Sequence, residues 1–129
     1  MPARASDPGS EPLRLTLPVP PSVNSYHRSV TTRSGVAKVL VSRAGRAWKK
    51  KALQLAAMQR PQAVEGEVAV TLRVYFPGRR RDLDNVAKPC LDLLQAAGVL
   101  ANDRHVWRLV MERRIDRGNP RIEIEVRPL

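Results

Sequence analysis

Acidic residues are the scarce class in this chain: 12 Asp and Glu stand against 23 Lys and Arg, for a net charge of +11. That balance implies a polyanionic partner. Cysteine is nearly absent as well. Cys90 stands alone, so no internal disulfide can form, and a zinc site built on cysteines lacks its ligands. Its place on the apolar face of a predicted helix marks it as packing. Aromatic residues make up 4% of the chain, too few for the stacking platform of a single-strand binder. No apolar run is long enough to span a membrane. No basic amphipathic helix carries the large exposed apolar residues that would hold one on anionic lipid. Met1 to Pro12 is small, polar and proline-rich, without the apolar centre of a signal peptide. The expectation is a disordered lead-in over residues 1–12 and a cytoplasmic protein. These absences leave nucleic acid as the partner, recognised through backbone and shape, as duplex or branched DNA is.

What is present is a globular composition. The 129 residues are 43% hydrophobic, which suits one domain over residues 13–129 burying roughly two thirds of its unfolded surface. Leu13, Leu15, Leu17 and Val19 alternate with other residues as a strand does, and Pro20-Pro21 ends it. Ser22 to Gly35 reads as a polar loop. Its hydroxyls and its cations, Arg28 and Arg33 among them, can meet phosphate oxygens or simply face solvent. Val36 to Val41 is a short strand. Ser42 caps a helix running from Arg43 to about Arg60, where Pro61 stops it; Ala44, Trp48, Ala52, Leu55 and Ala56 form the apolar stripe. Val68 to Phe76 alternates again. Val86, Cys90, Leu93, Leu94 and Ala97 recur at helical spacing, with Pro89 confined to the first turn and Gly98 as the stop. Val106–Arg114 and Arg121–Arg127 are two further strands, and Asp116-Arg117-Gly118-Asn119-Pro120 between them is a hairpin signal. The order β-β-α-β-α-β-β predicts an α+β domain, a mixed sheet of about five strands with two main helices packed on it.

One stretch organises the rest. Arg79-Arg80-Arg81-Asp82-Leu83-Asp84-Asn85 lies where the Val68–Phe76 strand hands over to the second helix, and Lys88 follows four residues after Asp84. On extended backbone, residues two apart point the same way, so Asp82 and Asp84 can converge. At about 5 Å and an effective dielectric of about 20 their repulsion is about 3 kcal/mol. A bound metal, the neighbouring arginines or Lys88 can offset it, and oxygen donors alone select Mg²⁺ or Mn²⁺. The plainer account makes Asp84 a helix cap, Asp82 a turn acid and Lys88 a surface partner. A second cationic cluster, Arg43, Arg46, Lys49, Lys50 and Lys51, crowds the first half of the first helix, where it opposes the helix dipole. It is either a phosphate-facing surface or a solvated face.

Three segments taken together resemble a known family. Leu17-Pro18-Val19-Pro20-Pro21-Ser22-Val23-Asn24 is similar to an N-terminal proline signature. Arg81-Asp82-Leu83-Asp84-Asn85-Val86-Ala87-Lys88 is similar to a catalytic core. Leu91-Asp92-Leu93-Leu94, a glycine and then Asn102-Asp103 are similar to the segment that bears a third acid. In this order and spacing, over roughly Leu13 to Arg127, they resemble the RusA-type Holliday junction resolvases, small homodimeric endodeoxyribonucleases. The resemblance implies metal-dependent cleavage of four-way DNA junctions by symmetric nicking, in recombination and repair. It implies Asp82, Asp84 and Asp103 as metal-binding acids with Mg²⁺ or Mn²⁺, and Lys88 as the catalytic lysine. Asn102 departs from the family pattern, where two adjacent acids are common. The arginines Arg79, Arg80 and Arg81, the Lys49–Lys51 run, Arg28 and Arg33 are the candidates for DNA contact. His105 is a candidate competing base, with a surface histidine as the plainer account, and Asp92 is a spare acid for which an i,i+4 pair with Lys88 is the plainer account.

Two other classes remain open from sequence. One is a non-catalytic basic nucleic-acid-binding protein of the same fold. The other is a metal-dependent sugar-nucleotide transferase using Asp-x-Asp, for which 129 residues hardly provide a nucleotide-binding domain. Paired cuts call for two copies of the site, hence a C₂ homodimer. Val106, Trp107, Leu109, Val110 and Met111 make their strand apolar on both faces over part of its length. Such a strand is either central within the monomer or covered on one face by a partner chain.

Overall fold

A computed structural model of the chain describes residues 11–22, 27–35 and 37–129, with backbone alone for 27–30 and 37–41. Residues 1–10 of the expected lead-in, and Val23 and Asn24 of the proline signature, lie outside the described residues.

The strand that fixes the architecture is β4 (Val68–Phe76). Val68, Val70, Leu72, Val74 and Phe76 are fully buried, while Ala69, Thr71, Arg73 and Tyr75 between them are half-buried. One wholly apolar face makes β4 a central strand, and it pairs on both sides: antiparallel with β6 (Arg121–Pro128) and parallel with β5 (Val106–Ile115). β1 (Leu13–Leu17) adds outside β6, giving the order β1-β6-β4-β5. The sheet is mixed, as expected, but has four strands. The other two, β2 (His27–Thr31) and β3 (Ala37–Val41), form a separate antiparallel pair. β2 lies inside the stretch read as loop. Its HRSVT sequence has no apolar alternation, so only pairing with β3 makes it a strand. The turn carried a signal: Gly35, at φ +82°, closes it with its N–H donating to the Thr32 carbonyl at 2.9 Å.

The Asp116–Pro120 turn does not make a hairpin, because β4 lies between β5 and β6. The helix after β4 returns the chain parallel to it, so β5 takes the free edge and β6 must take the far side. The turn residues serve local order instead. Asp116 Oδ1 accepts from the Gly118 and Asn119 amides, at 3.2 and 3.1 Å, and Oδ2 from Arg121 Nη1 at 2.9 Å. The Arg121 guanidinium, followed by these amides, holds the Asp116 carboxyl below its ordinary value against the opposing effect of burial.

Helix α1 (Arg43–Met58) starts at Ser42, whose Oγ accepts from the Gly45 amide at 3.1 Å. Its buried stripe is Gly45, Trp48, Ala52 and Ala56, so Gly45 takes the place expected of Ala44, which is exposed. Helix α2 (Ala87–Ala96) follows a 3-10 turn, Asp84–Val86, with Pro89 in its first turn. Gly98 ends it at φ +78°, a conformation that favours glycine, and donates to the Gln95 carbonyl at 3.0 Å. Val86, Cys90, Leu93 and Leu94 join the core with Trp48, Ala52 and Ala56 on one face of the sheet. Complete burial pushes the Cys90 thiol up to about 12, so it stays protonated and inert at neutral pH. No helix among the described residues is long and apolar enough to cross a membrane.

The outer edge of β1 is closed by a side chain. Gln59, just past α1, accepts from the Thr16 amide (2.9 Å) and donates to the Thr16 carbonyl (2.8 Å), as a neighbouring strand would. Gln59→Leu is expected to lower stability by about 1 kcal/mol. A lower urea midpoint at unchanged slope would show it.

Candidate metal and nucleic-acid site

The Phe76 end of the sheet gathers several segments. β1 pairs Leu17 with Ile122, and β4 pairs Tyr75 with Arg121, so Pro18–Pro21 leave the sheet beside the end of β4. Trp48 of α1 donates its indole N–H to the Pro18 carbonyl at 2.9 Å, which ties the basic half of α1 to this end. Arg81 Nη2 donates to the Pro20 carbonyl at 2.8 Å, and its guanidinium lies 5.5 Å from the Phe76 ring centroid. Burial of Arg81 lowers its pKa from the ordinary arginine value. Arg81 thus braces the proline segment against the acidic loop, while Arg79 and Arg80 are exposed.

Asp82 and Asp84 are exposed at the same end. Leu83 between them sits in the right-handed helical region, at φ −65° and ψ −42°, and Asp84 opens the 3-10 turn. The backbone is therefore bent where extended chain was expected. Convergence of the two carboxylates no longer follows from local geometry, since residues two apart on a helical turn point away from each other. Asp84 still stands ahead of α2, where the helix dipole favours an anion.

The pairing of the acids is informative. Glu112, Glu123 and Glu125 on the sheet, and Asp116 beside it, all form ion pairs with arginines. Among the described residues Asp82, Asp84 and Asp103 form none, nor do Glu11, Glu65 and Glu67; only Asp82 and Asp84 stay unpaired beside a run of three arginines. Two free carboxylates fit Mg²⁺, which takes one or two and keeps several waters or phosphate oxygens.

Asp103 lies elsewhere. It opens the 3-10 turn Asp103–His105, which runs directly into β5, and Val106 pairs with Val68. Because β4 and β5 are parallel, Asp103 lies at the start of β4 and the Asp82–Asp84 loop at its finish. Nine residues of strand separate those ends by about 26 Å at roughly 3.3 Å per residue. The single acidic cluster expected within one chain is not formed: among the described residues no three His, Cys, Asp or Glu side chains are placed to hold a metal ion together. Asn102, the departure from the family pattern, has a structural task. Its Oδ1 accepts from the Arg104 amide at 3.0 Å and caps the turn that carries Asp103. Asparagine caps as well as aspartate does.

Lys88 does not reach back to Asp84. Its Nζ lies 3.1 Å from Asp92 Oδ1, one turn further along α2, and its side chain is 66% exposed. Pairs so exposed contribute about 0.3–0.5 kcal/mol, so Lys88 is easily released. The lysine run of α1 is split. Side chains one residue apart on a helix are turned by about 100°, so Lys50 shares a strip with Arg43 and Arg46, Lys51 faces away, and Lys49 borders the buried stripe. Arg33 is exposed in the turn between β2 and β3. The side chain of Arg28 lies outside the described residues. His105, half-buried behind Asp103, has no ion pair among the described residues. Sequence reading missed Arg113 of β5, whose guanidinium reaches the carbonyls of Arg79 and Arg81.

The family model described as Endodeoxyribonuclease RusA matches residues 18–127. The chain belongs to the RusA endodeoxyribonuclease family. A curated relative, Crossover junction endodeoxyribonuclease RusA of Aquifex aeolicus (strain VF5), is 30% identical over 83 residues, 63% of this chain. The match spans 66% of that relative's length, just under two thirds. The RusA match takes in the acidic loop, α2, the Asp103 turn and nearly all of β6, and leaves out β1.

Proposed function

We propose that this RusA-family chain is a metal-dependent endodeoxyribonuclease that resolves four-way DNA junctions by paired nicks, acting in recombination and repair. The observation that carries the reading is the unpaired Asp82–Asp84 loop at a cationic end of the sheet. Asp82 and Asp84 would hold Mg²⁺ or Mn²⁺, which when bound lowers the pKa of water and neutralises charge on the phosphate. Lys88, released from Asp92, stabilises negative charge developing on a phosphate oxygen. Arg79, Arg80 and the Arg43–Arg46–Lys50 strip hold the backbone on either side.

The working form is a homodimer. β5 is not the central strand that one sequence reading allowed. It is an edge strand, and among the described residues no strand pairs with its outer side. Trp107 is 71% exposed, at a register shift opposite Val68 and Ala69, and Leu109, Val110 and Ile115 are about 40% exposed. A long edge with large apolar residues on both faces is an association site unless covered. A second copy covers it and can bring its own Asp103 towards the first copy's Asp82 and Asp84, which one chain cannot do.

The test is a synthetic four-way junction with Mg²⁺, beside linear duplex of the same sequence. Symmetric cutting of the junction alone is expected; binding without cutting would leave the non-catalytic alternative. Junction affinity should fall steeply with salt, and Arg80→Ala should reduce the slope of log K against log salt by about one. A flat salt response would contradict the role given to the +11 charge.

A further inference from the structure

Arg113 stands on β5, opposite Val74 of β4, some thirty residues beyond the acidic loop. Both terminal nitrogens of its guanidinium end on that loop's backbone. Nη1 donates to the Arg79 carbonyl at 3.3 Å and Nη2 to the Arg81 carbonyl at 2.7 Å. The same guanidinium lies 5.2 Å from the centroid of the Phe76 ring, which is itself fully buried. Glu112 next to Arg113 in β5 points to the opposite face of the sheet, where it pairs with Arg73 and Arg114. Arg113 is thus spent on two carbonyls and a ring rather than on a carboxylate.

The loop needs such a support. It leaves β4 through Pro77-Gly78 and has no regular secondary structure until the 3-10 turn at Asp84. On the other side Arg81 is anchored to Pro20 and to the same Phe76 ring. A planar guanidinium can bridge two carbonyls at fixed spacing, which a lysine ammonium cannot. The second carbonyl, that of Arg81, belongs to the peptide bond that enters Asp82.

We infer that Arg113 is a positioning residue: it fixes the backbone entering Asp82, and through it the aim of Asp82 and Asp84, without touching DNA or metal. Because it rises from the edge strand, it also links the surface that a second copy would cover to the geometry of the acidic loop. The inference rests on the nuclease reading above only for its effect on cleavage; its effect on the loop does not.

Arg113→Ala and Arg113→Lys test it. In both, amide hydrogen exchange across residues 79–84 is expected to quicken about tenfold, with the core strands unchanged. Cleavage at saturating junction should fall about 10- to 100-fold, as a displaced catalytic group does. Junction affinity and its salt slope should stay as in the unmodified protein. Lysine keeps the charge and the stem over Phe76 but not the fork, so Arg113→Lys serves even where Arg113→Ala fails to fold. Unchanged exchange in the loop overturns the inference. So does a salt slope lowered by about one in Arg113→Ala and restored in Arg113→Lys, which marks a phosphate contact. Should the unmodified protein cut no junction, the nuclease reading falls and the exchange result alone decides the role of Arg113.

Discussion

Asp82→Asn or Asp84→Asn is expected to slow junction cleavage by at least about a hundredfold, the usual cost of losing one electrostatic element of a phosphate-cleaving site. Binding should be retained or slightly tighter, because each substitution removes a negative charge from the surface proposed to meet phosphates. The two aspartates have no ion pair among the described residues, so their removal leaves no buried cation without a partner, and stability should hold within about 0.5 kcal/mol. This separates them from Asp116, whose loss would leave Arg121 with Glu123 as its one carboxylate partner among the described residues and loosen the turn into β6. Chelation by EDTA should have the same effect as either substitution and be reversed by Mg²⁺ or Mn²⁺. Robust cutting by a purified Asp82→Asn or Asp84→Asn protein removes these residues from the reaction.

Two inactive chains are expected to rescue each other. If the third acid comes from the second copy, a mixed dimer of Asp82→Asn and Asp103→Asn has one site with both defects and one with none. Random mixing makes about half the dimers mixed, and each has one working site of two, so nicking returns at about a quarter of the unmodified rate. The product should be singly nicked junction, since the paired cut needs both sites. Were each site complete within one chain, every site in the mixture would be defective and no cutting would return. The assembly itself is read by light scattering: a mass near 14.4 kDa at micromolar concentration without DNA would rule out a preformed dimer. Trp107→Glu should give monomer and lose cleavage. A Trp107→Glu protein that stays dimeric and active would place the interface elsewhere than β5.

Much of the local structure is legible in the residues. The alternation from Val68 to Phe76 names the central strand to the residue, because burying one face of a strand is a period-two demand. Ser42, Pro89 and Gly98 mark helix ends correctly, since capping and φ preferences act within a few residues. The acidic loop falls where strand gives way to helix, as its composition says. β2 is hidden because HRSVT has no apolar alternation of its own and becomes a strand only through β3. The Asp116–Pro120 turn misleads because turn chemistry reports a reversal, not which strand lies next to which.

Sequence by itself therefore determined the strong positive charge, the family, the strand and helix inventory but for β2, and the acids that are candidates for the chemistry. Those depend on charge count, on periodicity and on residue types in fixed order. Tertiary structure alone decided how they are placed. The parallel pairing of β4 with β5 sends Asp103 to the far end of the sheet from Asp82 and Asp84. The edge position of β5 leaves Trp107, Leu109 and Ile115 uncovered, and Arg113 reaches across to the loop that carries the acids. Pairing partners are chosen by which apolar faces can be buried together, a property of the whole chain that no local run of residues encodes.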